Sequence, residues 1–240
     1  MLCANWPASR DRLNMKTILL IPAYNEEANI VATVSKVIDA GYDYVVINDG
    51  SSDRTLELCR EHDFNVLDLC FNLGIGGAIQ AGHKYAYRHG YDIDIQFDVD
   101  GQHDVNHVKT LVDAIEDGND LVIGSRFISE DNQFKSSLLR RVGIRWLGGV
   151  LKTFAHVTVT DATSGFRAVN RKAMELFSKD YPDDYPEPES IAAAARRGLK
   201  VKEVPVVMHE RQGGSSSIAG FSSVYYMIKV TLAVIFASRV

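Results

Sequence analysis

The sequence predicts an α/β protein with a mostly parallel sheet and helices on both faces. Short runs of apolar residues recur along the first half of the chain, and segments with apolar residues at helical spacing separate them. The runs are nearly continuous in apolar residues, which is typical of strands that are buried on both faces of a sheet. Regular alternation of strands and helices favours parallel strands joined by helical crossovers.

The first half of the chain gives five predicted strands and four predicted helices, the strands at residues 17–21, 44–47, 65–69, 93–97 and 121–123 and the helices at 26–40, 53–61, 75–88 and 105–116. Asp53 and Asp104 are expected to be helix N-caps, because their short carboxylates accept hydrogen bonds from the first free N–H groups of a helix. Gly41 and Gly90 are expected where helices end, since glycine readily adopts the left-handed conformation common there.

The second half is less regular. It predicts a basic helix at 135–154, a strand at 166–169, a Pro-rich acidic loop that includes residues 185–189, a helix at 191–197 and a strand at 199–208. Neither an internal repeat nor a low-complexity linker divides the chain. We therefore interpret residues 1–15 as a mobile N-terminal extension, 16–217 as one domain and 218–240 as an apolar C-terminal helix.

Composition excludes several classes of protein. The chain has 240 residues, 46% hydrophobic and 24% charged, which is enough for one large domain with a substantial core. A net charge of −5 argues against a nucleic-acid partner, because such proteins present basic surfaces to phosphates. The three cysteines include no CxxC pair, so neither a disulfide framework nor a thiolate zinc site is indicated. A reducing cytoplasm fits this composition best.

The C-terminal segment is apolar but is too short between charges to span a bilayer. Lys229 and Arg239 leave nine uncharged residues between them, whereas a span needs about 20. Apolar residues nevertheless recur there at helical spacing, at Phe221, Val224, Tyr225, Ile228, Leu232 and Ile235. The segment is expected to be an amphipathic helix that lies on a membrane surface, contacts a partner or packs on its own domain.

Asp98 and Asp100 stand one residue apart after the predicted strand at 93–97, and Gly101 lets the chain turn sharply. Both carboxylates are therefore expected at the C-terminal edge of that strand, where ligands bind in parallel sheets. Carboxylate oxygens suit Mg²⁺ or Mn²⁺, which share their coordination with substrate phosphates. The pattern predicts a site for a nucleoside diphosphate, with a solvated loop as the alternative.

The loops after the first two predicted strands carry candidate nucleotide ligands. Pro22 fixes the direction in which the chain leaves the first strand, and Tyr24 offers a flat face for a base. Glu26 is a candidate acceptor of hydrogen bonds from a ribose or base, and Asp49 is a candidate for recognition of uracil or guanine. Glu27 is interpreted as an acidic residue that opens a helix.

Two further patterns are weaker. Glycines cluster at residues 74, 76, 77 and 82, but the third glycine of a GxGxxG dinucleotide fingerprint would fall at Ile79, which disfavours an NAD-dependent oxidoreductase. His103 and His107 stand four residues apart, as zinc ligands on a helix do, but only His103 lies near the carboxylates. A zinc site is therefore disfavoured.

Six segments occur together in a recognisable order: PAYNEE, NDGSSD, NLGIGGAIQAG, DVDGQH, GSRF and TSGFR. Their order and spacing over residues 16–217 resemble family 2 glycosyltransferases of the GT-A fold, which has a Rossmann-like, mostly parallel sheet. The resemblance is strongest to the dolichyl-phosphate mannose synthase and bacterial polyprenyl-phosphate glycosyltransferase group.

The resemblance implies roles for individual positions. A metal would be held by Asp98, Asp100 and Gln102, with Asp100 in the reaction centre. The donor would be contacted by Pro22, Tyr24, Glu26, Asp49 and Asp98. An acceptor phosphate would face Arg126, Arg140 or Arg141, and Arg211, because planar guanidinium groups match phosphate oxygens in geometry and charge.

Two departures from the family pattern leave the acceptor open. Relatives that use a lipid phosphate typically carry R-x-x-G-x-S-K, whereas this chain has Ser217 in place of the lysine. The segment at 185–189 places Glu187 and Glu189 where relatives have an acidic residue near the acceptor. A hydroxyl acceptor benefits from a carboxylate base, with Glu189 or Glu187 in that role, whereas a phosphate acceptor needs none. The alternative for Glu189 is that it opens a helix.

These inferences predict an inverting glycosyltransferase that depends on Mg²⁺ or Mn²⁺ and uses a nucleoside-diphosphate sugar. Inversion follows from the resemblance. The expected acceptor is a polyprenyl phosphate or a lipid-linked saccharide in cell-envelope glycan synthesis, and the expected location is peripheral at the inner face of the cytoplasmic membrane. The alternative is a noncatalytic nucleotide-sugar-binding subunit of a membrane glycan-assembly complex.

Overall fold

The computed structural model describes residues 15–128, 138–183, 186–208 and 222–236, with the backbone alone at 138–141 and 222–226. Within these ranges, seven strands form one sheet in the order β3-β2-β1-β4-β6-β5-β7. The strands are β1 (Thr17–Ala23), β2 (Asp43–Asn48), β3 (Val66–Asp68), β4 (Ile93–Gln96), β5 (Leu121–Ser125), β6 (Arg167–Asn170) and β7 (Val201–Pro205). Neighbours are parallel except at β6, which is antiparallel to β4 and β5. The predicted mostly parallel sheet is confirmed.

Helices cover the sheet. They are α1 (Ile30–Asp39), α2 (Thr55–Glu61), α3 (Gly74–Arg88), α4 (Val108–Glu116), α5 (Leu138–Phe154), α6 (Arg171–Lys179), α7 (Pro186–Arg196) and α8 (Ser222–Phe236), and a 3₁₀ turn at Val105–His107 precedes α4. The helices predicted in the first half are all present, although α1 begins at Ile30, four residues later than expected.

The core lies on both faces of the sheet because side chains of a strand point alternately to opposite sides. Ile18 and Leu20 of β1 pack in the cluster that contains Ile79 of α3. Leu19 and Ile21 belong to the opposite cluster, which contains residues of α1 and α4. All these side chains are fully buried, and each stabilises the fold by about 1.5–3 kcal/mol. The rigid core fixes the strand ends from which the loops leave.

The predicted helix boundaries are largely confirmed. The Asp104 carboxylate accepts a hydrogen bond from the Asn106 N–H at 2.9 Å, as an N-cap does. Gly41 and Gly90 follow α1 and α3 with φ of +77° and +78°, the left-handed conformation expected at helix ends. Asp53 lies one residue before the N-cap position of α2, yet its carboxylate still accepts from the Thr55 N–H at 2.9 Å.

Two predictions for the second half need correction. The sequence interpretation omitted α6, although Asn170 caps it by accepting from the N–H groups of Lys172 and Ala173. It also assigned residues 185–189 to a loop, whereas α7 begins at Pro186. Pro186 and Pro188 fit this first helical turn, because N–H groups there have no intrahelical partner to lose.

The C-terminal helix α8 packs against α5 and α7. Val230 and Val234 are buried, and the Trp146 Nε1–H of α5 donates to the Thr231 hydroxyl at 3.0 Å. Helices α5 and α8 also carry large apolar side chains that are exposed, at Val142, Trp146, Phe154, Ile228, Leu232 and Phe236. Within the described ranges, every helix is too short or too polar to cross a bilayer.

Candidate active site

The candidate site lies at the carboxyl ends of β1, β2 and β4, which are neighbours in the sheet. We call residues 24–29 the β1 loop and residues 49–54 the β2 loop. Asp98 and Asp100 follow β4 at the same rim. The parallel order of these strands therefore brings together three segments that are far apart in the sequence, as expected for a ligand site in such a sheet.

Hydrogen bonds join the β1 and β2 loops. The Asn25 side-chain oxygen accepts from the Ser52 N–H at 2.8 Å. Asn25 itself has a φ of +55°, a conformation that asparagine tolerates better than most residues. The Glu27 N–H donates to the Asp53 carboxylate, and the Arg54 N–H donates to the Glu27 carboxylate, both at 3.0 Å. Glu27 thus links two loops, which replaces its expected role as the opener of α1.

The predicted donor residues line this rim in different environments. Tyr24 is 51% exposed, so its ring is accessible for stacking. Asp49 is buried, and its carboxylate accepts from the Leu73 N–H at 2.7 Å. The Glu26 carboxylate accepts from the Asn29 amide at 3.1 Å. Pro22 is partly buried within β1. Their contacts with a nucleotide remain predictions.

Asp98 and Asp100 lie on a tight turn that is stabilised by a hydrogen bond within it. The Asp100 carboxylate accepts from the Gln102 N–H at 3.0 Å, and Gly101 has a φ of +77°, which favours glycine. Asp100 is buried, whereas the Asp98 side chain is 31% exposed. One carboxylate is therefore fixed inside the turn while the other meets solvent at the rim.

The buried His103 side chain contacts the backbone of this turn. Its Nδ1 accepts from the Asp98 N–H at 2.9 Å, and its ring stacks on Phe166 at 4.7 Å. Burial lowers the pKa of His103, although the nearby carboxylates act in the opposite direction. The neutral ring with its proton on Nε2 satisfies this contact, and that nitrogen lies 3.7 Å from the Asp98 carboxylate. His107 Nε2 instead accepts from the Val207 N–H at 3.1 Å, so the two histidines have separate backbone partners.

A second set of residues reaches the rim from the loop before β6, which we call the 160–165 loop. A Cβ atom added to Gly165 would lie 2.9 Å from an Asp98 carboxylate oxygen, so the backbone approaches Asp98 more closely than a side chain would allow. The Ser164 hydroxyl donates to the Gly124 carbonyl at 2.6 Å. The TSGFR segment thus lies against the Asp98 carboxylate, a contact that sequence analysis missed because it used the segment only as a mark of resemblance.

Arg126 is expected at an acceptor phosphate, but the structure gives it a different partner. Its guanidinium is 4% exposed and makes two 2.7 Å hydrogen bonds with Asp161, which is fully buried. It also donates to the Thr163 hydroxyl at 3.0 Å. In this structure Arg126 fixes the 160–165 loop, and direct contact with an acceptor would require this ion pair to open. Its acceptor role remains a prediction.

The two glutamates of α7 face different surroundings. Burial raises the pKa of the Glu187 carboxyl; the charge of Asp98 adds to this effect, and Arg167 and Arg126 oppose it. The Glu187 carbonyl accepts from Arg167 at 2.7 Å, and the same guanidinium binds the 160–165 loop that lies against Asp98, so this end of α7 adjoins the candidate metal site. Glu189 instead lines a cavity with Asp183 and with Lys229 of α8. Glu187 is therefore the better placed of the two candidate bases.

Several residues with predicted roles lie wholly or partly outside the part of the chain that the structure describes. The side chains of Arg140 and Arg141 are outside the described residues, although their backbone belongs to α5. Arg211, Tyr185 and Ser217 also fall outside them, as does nearly all of the predicted N-terminal extension. The roles proposed for these positions stay predictions.

The rim fits a hard divalent cation. Such ions commonly use one or two carboxylates, and waters and substrate phosphates complete the coordination. Asp98 and Asp100 provide two carboxylates on one turn, and Gln102 adds an amide oxygen to the same segment. The described residues contain no cluster of three or more His, Cys, Asp or Glu side chains suited to a metal. Waters and substrate phosphates would complete the coordination of a cation held at this rim.

Fold and site together define an α/β protein of the doubly wound class, with its candidate ligand site in the loops at the carboxyl ends of its parallel strands. A family model described as "Glycosyl transferase family 2" matches residues 18–177. The chain belongs to this family, and it is a glycosyltransferase with the GT-A fold.

Individual relatives agree with this assignment. The chain is 30% identical over 240 aligned positions to a UDP-N-acetylglucosamine–dolichyl-phosphate N-acetylglucosaminyltransferase of Methanococcus voltae, covering 89% of this chain and 95% of that protein. It is 29% identical to a polyprenol monophosphomannose synthase of Mycolicibacterium smegmatis, covering 91% and 87%. A crystal structure of glucosyl-3-phosphoglycerate synthase from Mycobacterium tuberculosis has a TM-score of 0.69 at 18% identity, covering 93% and 80%, which supports the fold.

Proposed function

We propose that this glycosyltransferase moves a monosaccharide, with inversion, from a nucleoside-diphosphate sugar to a polyprenyl phosphate or a lipid-linked saccharide. The observation that carries the proposal is the rim where Asp98 and Asp100 follow β4 on one turn, with the 160–165 loop, to which Arg167 ties the start of α7, packed against Asp98. The name of the Methanococcus relative refers to transfer to dolichyl phosphate, and that of the Mycolicibacterium relative to polyprenol monophosphomannose, which supports a polyprenyl-phosphate acceptor.

The site would work with Mg²⁺ or Mn²⁺ held by Asp98, Asp100 and Gln102. When bound, the cation supplies Lewis-acid stabilisation of the negative charge on the departing diphosphate. The M. tuberculosis synthase was crystallised with Mn²⁺ and UDP, which is consistent with this assignment. Within the chain, His103 holds the Asp98 backbone and the Asp100 carboxylate holds the turn, so both oxygen ligands are oriented before a donor arrives.

The reaction forms one bond and breaks one bond. The acceptor oxygen attacks the anomeric carbon from the face opposite the diphosphate, and the bond from that carbon to the β-phosphate oxygen breaks. The electron pair of the broken bond stays on the nucleoside diphosphate. Tyr24 and Asp49 would hold the base, which keeps the donor in one orientation during the attack.

Glu187 would act according to the acceptor. With a hydroxyl acceptor, its carboxylate takes the hydroxyl proton as the new bond forms. Burial raises its pKa, which strengthens it as a base when it is ionised. A phosphate acceptor is already anionic, so Glu187 would then orient the sugar or the cation without removing a proton.

The membrane position would follow from α5 and α8. Exposed Trp146, Ile228 and Leu232 form an apolar surface beside exposed Arg145 and Lys152. Apolar side chains with a basic border suit the interface of an anionic bilayer. We propose that this surface brings the enzyme to the inner face of the cytoplasmic membrane, where a lipid-linked acceptor lies.

A substrate screen tests the proposed function. Radiolabelled UDP-, GDP- and dTDP-sugars would be incubated with undecaprenyl phosphate or a lipid-linked saccharide, with Mn²⁺ or with EDTA. We expect one donor to be transferred to one class of acceptor only when the cation is present. Tight donor binding without transfer or hydrolysis would instead support the noncatalytic subunit, and cation-independent transfer would remove the proposed metal site.

A further inference from the structure

Arg167, the first residue of β6, is a buried cation bonded mainly to backbone carbonyl groups. It is 5% exposed. Its Nε donates to the Ser164 carbonyl at 2.6 Å, and one terminal nitrogen donates to the Ala162 carbonyl at 3.2 Å. The other terminal nitrogen donates to the Glu187 carbonyl at 2.7 Å and to the Ser190 hydroxyl at 2.9 Å. A guanidinium suits this position because its donors point in several fixed directions.

These contacts join two segments that both reach the candidate site. Ser164 and Ala162 belong to the 160–165 loop, whose Gly165 lies directly against Asp98. Glu187 belongs to the first turn of α7, and Ser190 directly follows that turn. Burying a guanidinium is costly unless its donors are satisfied, so the two segments are held in the arrangement that satisfies them.

We propose that Arg167 is a positioning residue that locks the 160–165 loop against Asp98 and the first turn of α7 in place, and thereby fixes Glu187 opposite the metal-site carboxylates. The inference rests on the proposed function and extends it to a residue outside the substrate contacts. Arg167 acts through the backbone of the residues that it holds.

Charge and geometry can be separated at this position. Glu187 is surrounded by Arg167 from β6, Arg126 after β5, Asp98 after β4 and Tyr181 before α7. Arg167→Met removes both the charge and the fork of donors. Arg167→Lys keeps a positive charge but presents its donors from one nitrogen, which cannot reach both segments with the same geometry.

The matched control is Arg171, the first residue of α6. It also donates to two backbone carbonyls, those of Tyr91 at 3.0 Å and Tyr87 at 3.4 Å. Its guanidinium lies 4.5 Å from the Tyr87 ring centroid, among residues of α3 and the turn that follows it. Arg171→Met removes a comparable set of contacts that do not reach the rim.

The experiment compares these variants using the donor and acceptor with which the wild type is most active, together with hydrolysis of that donor. We expect kcat to fall about 100-fold for Arg167→Met and about 10-fold for Arg167→Lys with little change in donor KM, because small displacements of reacting groups have effects of this size. For donor hydrolysis, the acid limb of kcat should move to higher pH in Arg167→Met and stay in place in Arg167→Lys. Arg171→Met should change neither kcat nor the pH profile.

Amide hydrogen exchange gives a readout that needs no turnover. Exchange should increase in peptides covering residues 160–166 and 186–191 of Arg167→Met, and it should stay at the wild-type level there in Arg171→Met. If Arg167→Met does not fold, Ser190→Ala removes one contact of the same guanidinium and should produce the same changes with smaller size. Wild-type inactivity with every donor would overturn the proposed function. An active wild type whose Arg167 variants match Arg171→Met would overturn the inference.

Discussion

The two sides of the rim are held by different kinds of interaction. On one side, the β1 and β2 loops are joined by hydrogen bonds between exposed side chains and backbone N–H groups, such as that of Asn25 with Ser52. On the other side, the 160–165 loop is held by the buried ion pair of Arg126 with Asp161 and by the buried guanidinium contacts of Arg167. An exposed contact contributes little to stability, whereas a buried charge that loses its partner is strongly destabilising. We therefore expect the β1 and β2 loops to adjust when a ligand binds, and the 160–165 loop to keep its position.

The largest expected effect concerns the turn that both sides share. Asp100→Ala should fold and bind the nucleoside diphosphate weakly, but transfer should fall by roughly 10³-fold, since stabilisation of the leaving group contributes several kcal/mol. Initial rates with Mn²⁺ and a thermal melting curve would check this. Near-normal turnover by a folded Asp100→Ala protein would remove the proposed mechanism for both sides.

The next test sharpens the assignment on the buried side. Glu187→Gln should lower transfer to a hydroxyl acceptor by about 10²–10⁴-fold, because it removes a general base, and should affect a phosphate acceptor only modestly. Glu189→Gln is the matched control, since Glu189 lines a different cavity beside α8. Transfer rates of both variants, measured with a hydroxyl acceptor and with a phosphate acceptor, test which glutamate is the base. Greater loss in Glu189→Gln would transfer the role to that residue.

Stability should separate the two sides next. Asp161→Asn removes the carboxylate charge that pairs with the buried Arg126 guanidinium and should lower the free energy of unfolding by about 3–5 kcal/mol. Arg54→Gln removes an ion pair with Glu57 on the β2 side, where both side chains are 58% exposed. We expect no measurable change there. Urea unfolding of both variants tests the contrast, and equal losses would contradict it.

A smaller loss of stability than at Asp161 is expected at Asn25. Asn25→Ala removes the acceptor for the Ser52 N–H and places alanine at a φ of +55°, so the unfolding free energy should fall by about 1 kcal/mol. Looser β1 and β2 loops should raise the donor KM several-fold and leave kcat nearly unchanged. Steady-state kinetics would check this. A fall in kcat at constant KM would show that Asn25 influences the reaction centre instead.

Sequence reasoning succeeded where the information was local. The strands, the helix ends at Gly41 and Gly90, and the rim position of Asp98 followed from apolar periodicity and from residues adjacent in the chain. The start of α7 was missed because proline was interpreted as a loop former, although the first turn of a helix accepts it.

The buried side could not be derived in the same way. Arg126 and Asp161 are 35 positions apart, and Arg167 and Glu187 are 20 apart. A guanidinium that binds a buried carboxylate has the same sequence signature as one that faces a phosphate. Only the tertiary arrangement distinguishes the two, and it shows Arg126 paired with Asp161, while its acceptor role stays a prediction.

The reversed direction of β6 has a consequence for how the rim is assembled. Because β6 opposes its neighbours, the residues that precede it arrive where β4 and β5 terminate. Turned the other way, this four-residue strand would carry Gly165 to the far end of the sheet, about 13 Å from Asp98. Because β6 is antiparallel, the segment that enters β6 and the segment that leaves β4 meet at the same edge of the sheet. The loop before β6 and the segment after β4 can then each change in length without shifting the pairing of β4 with β6 that positions them both.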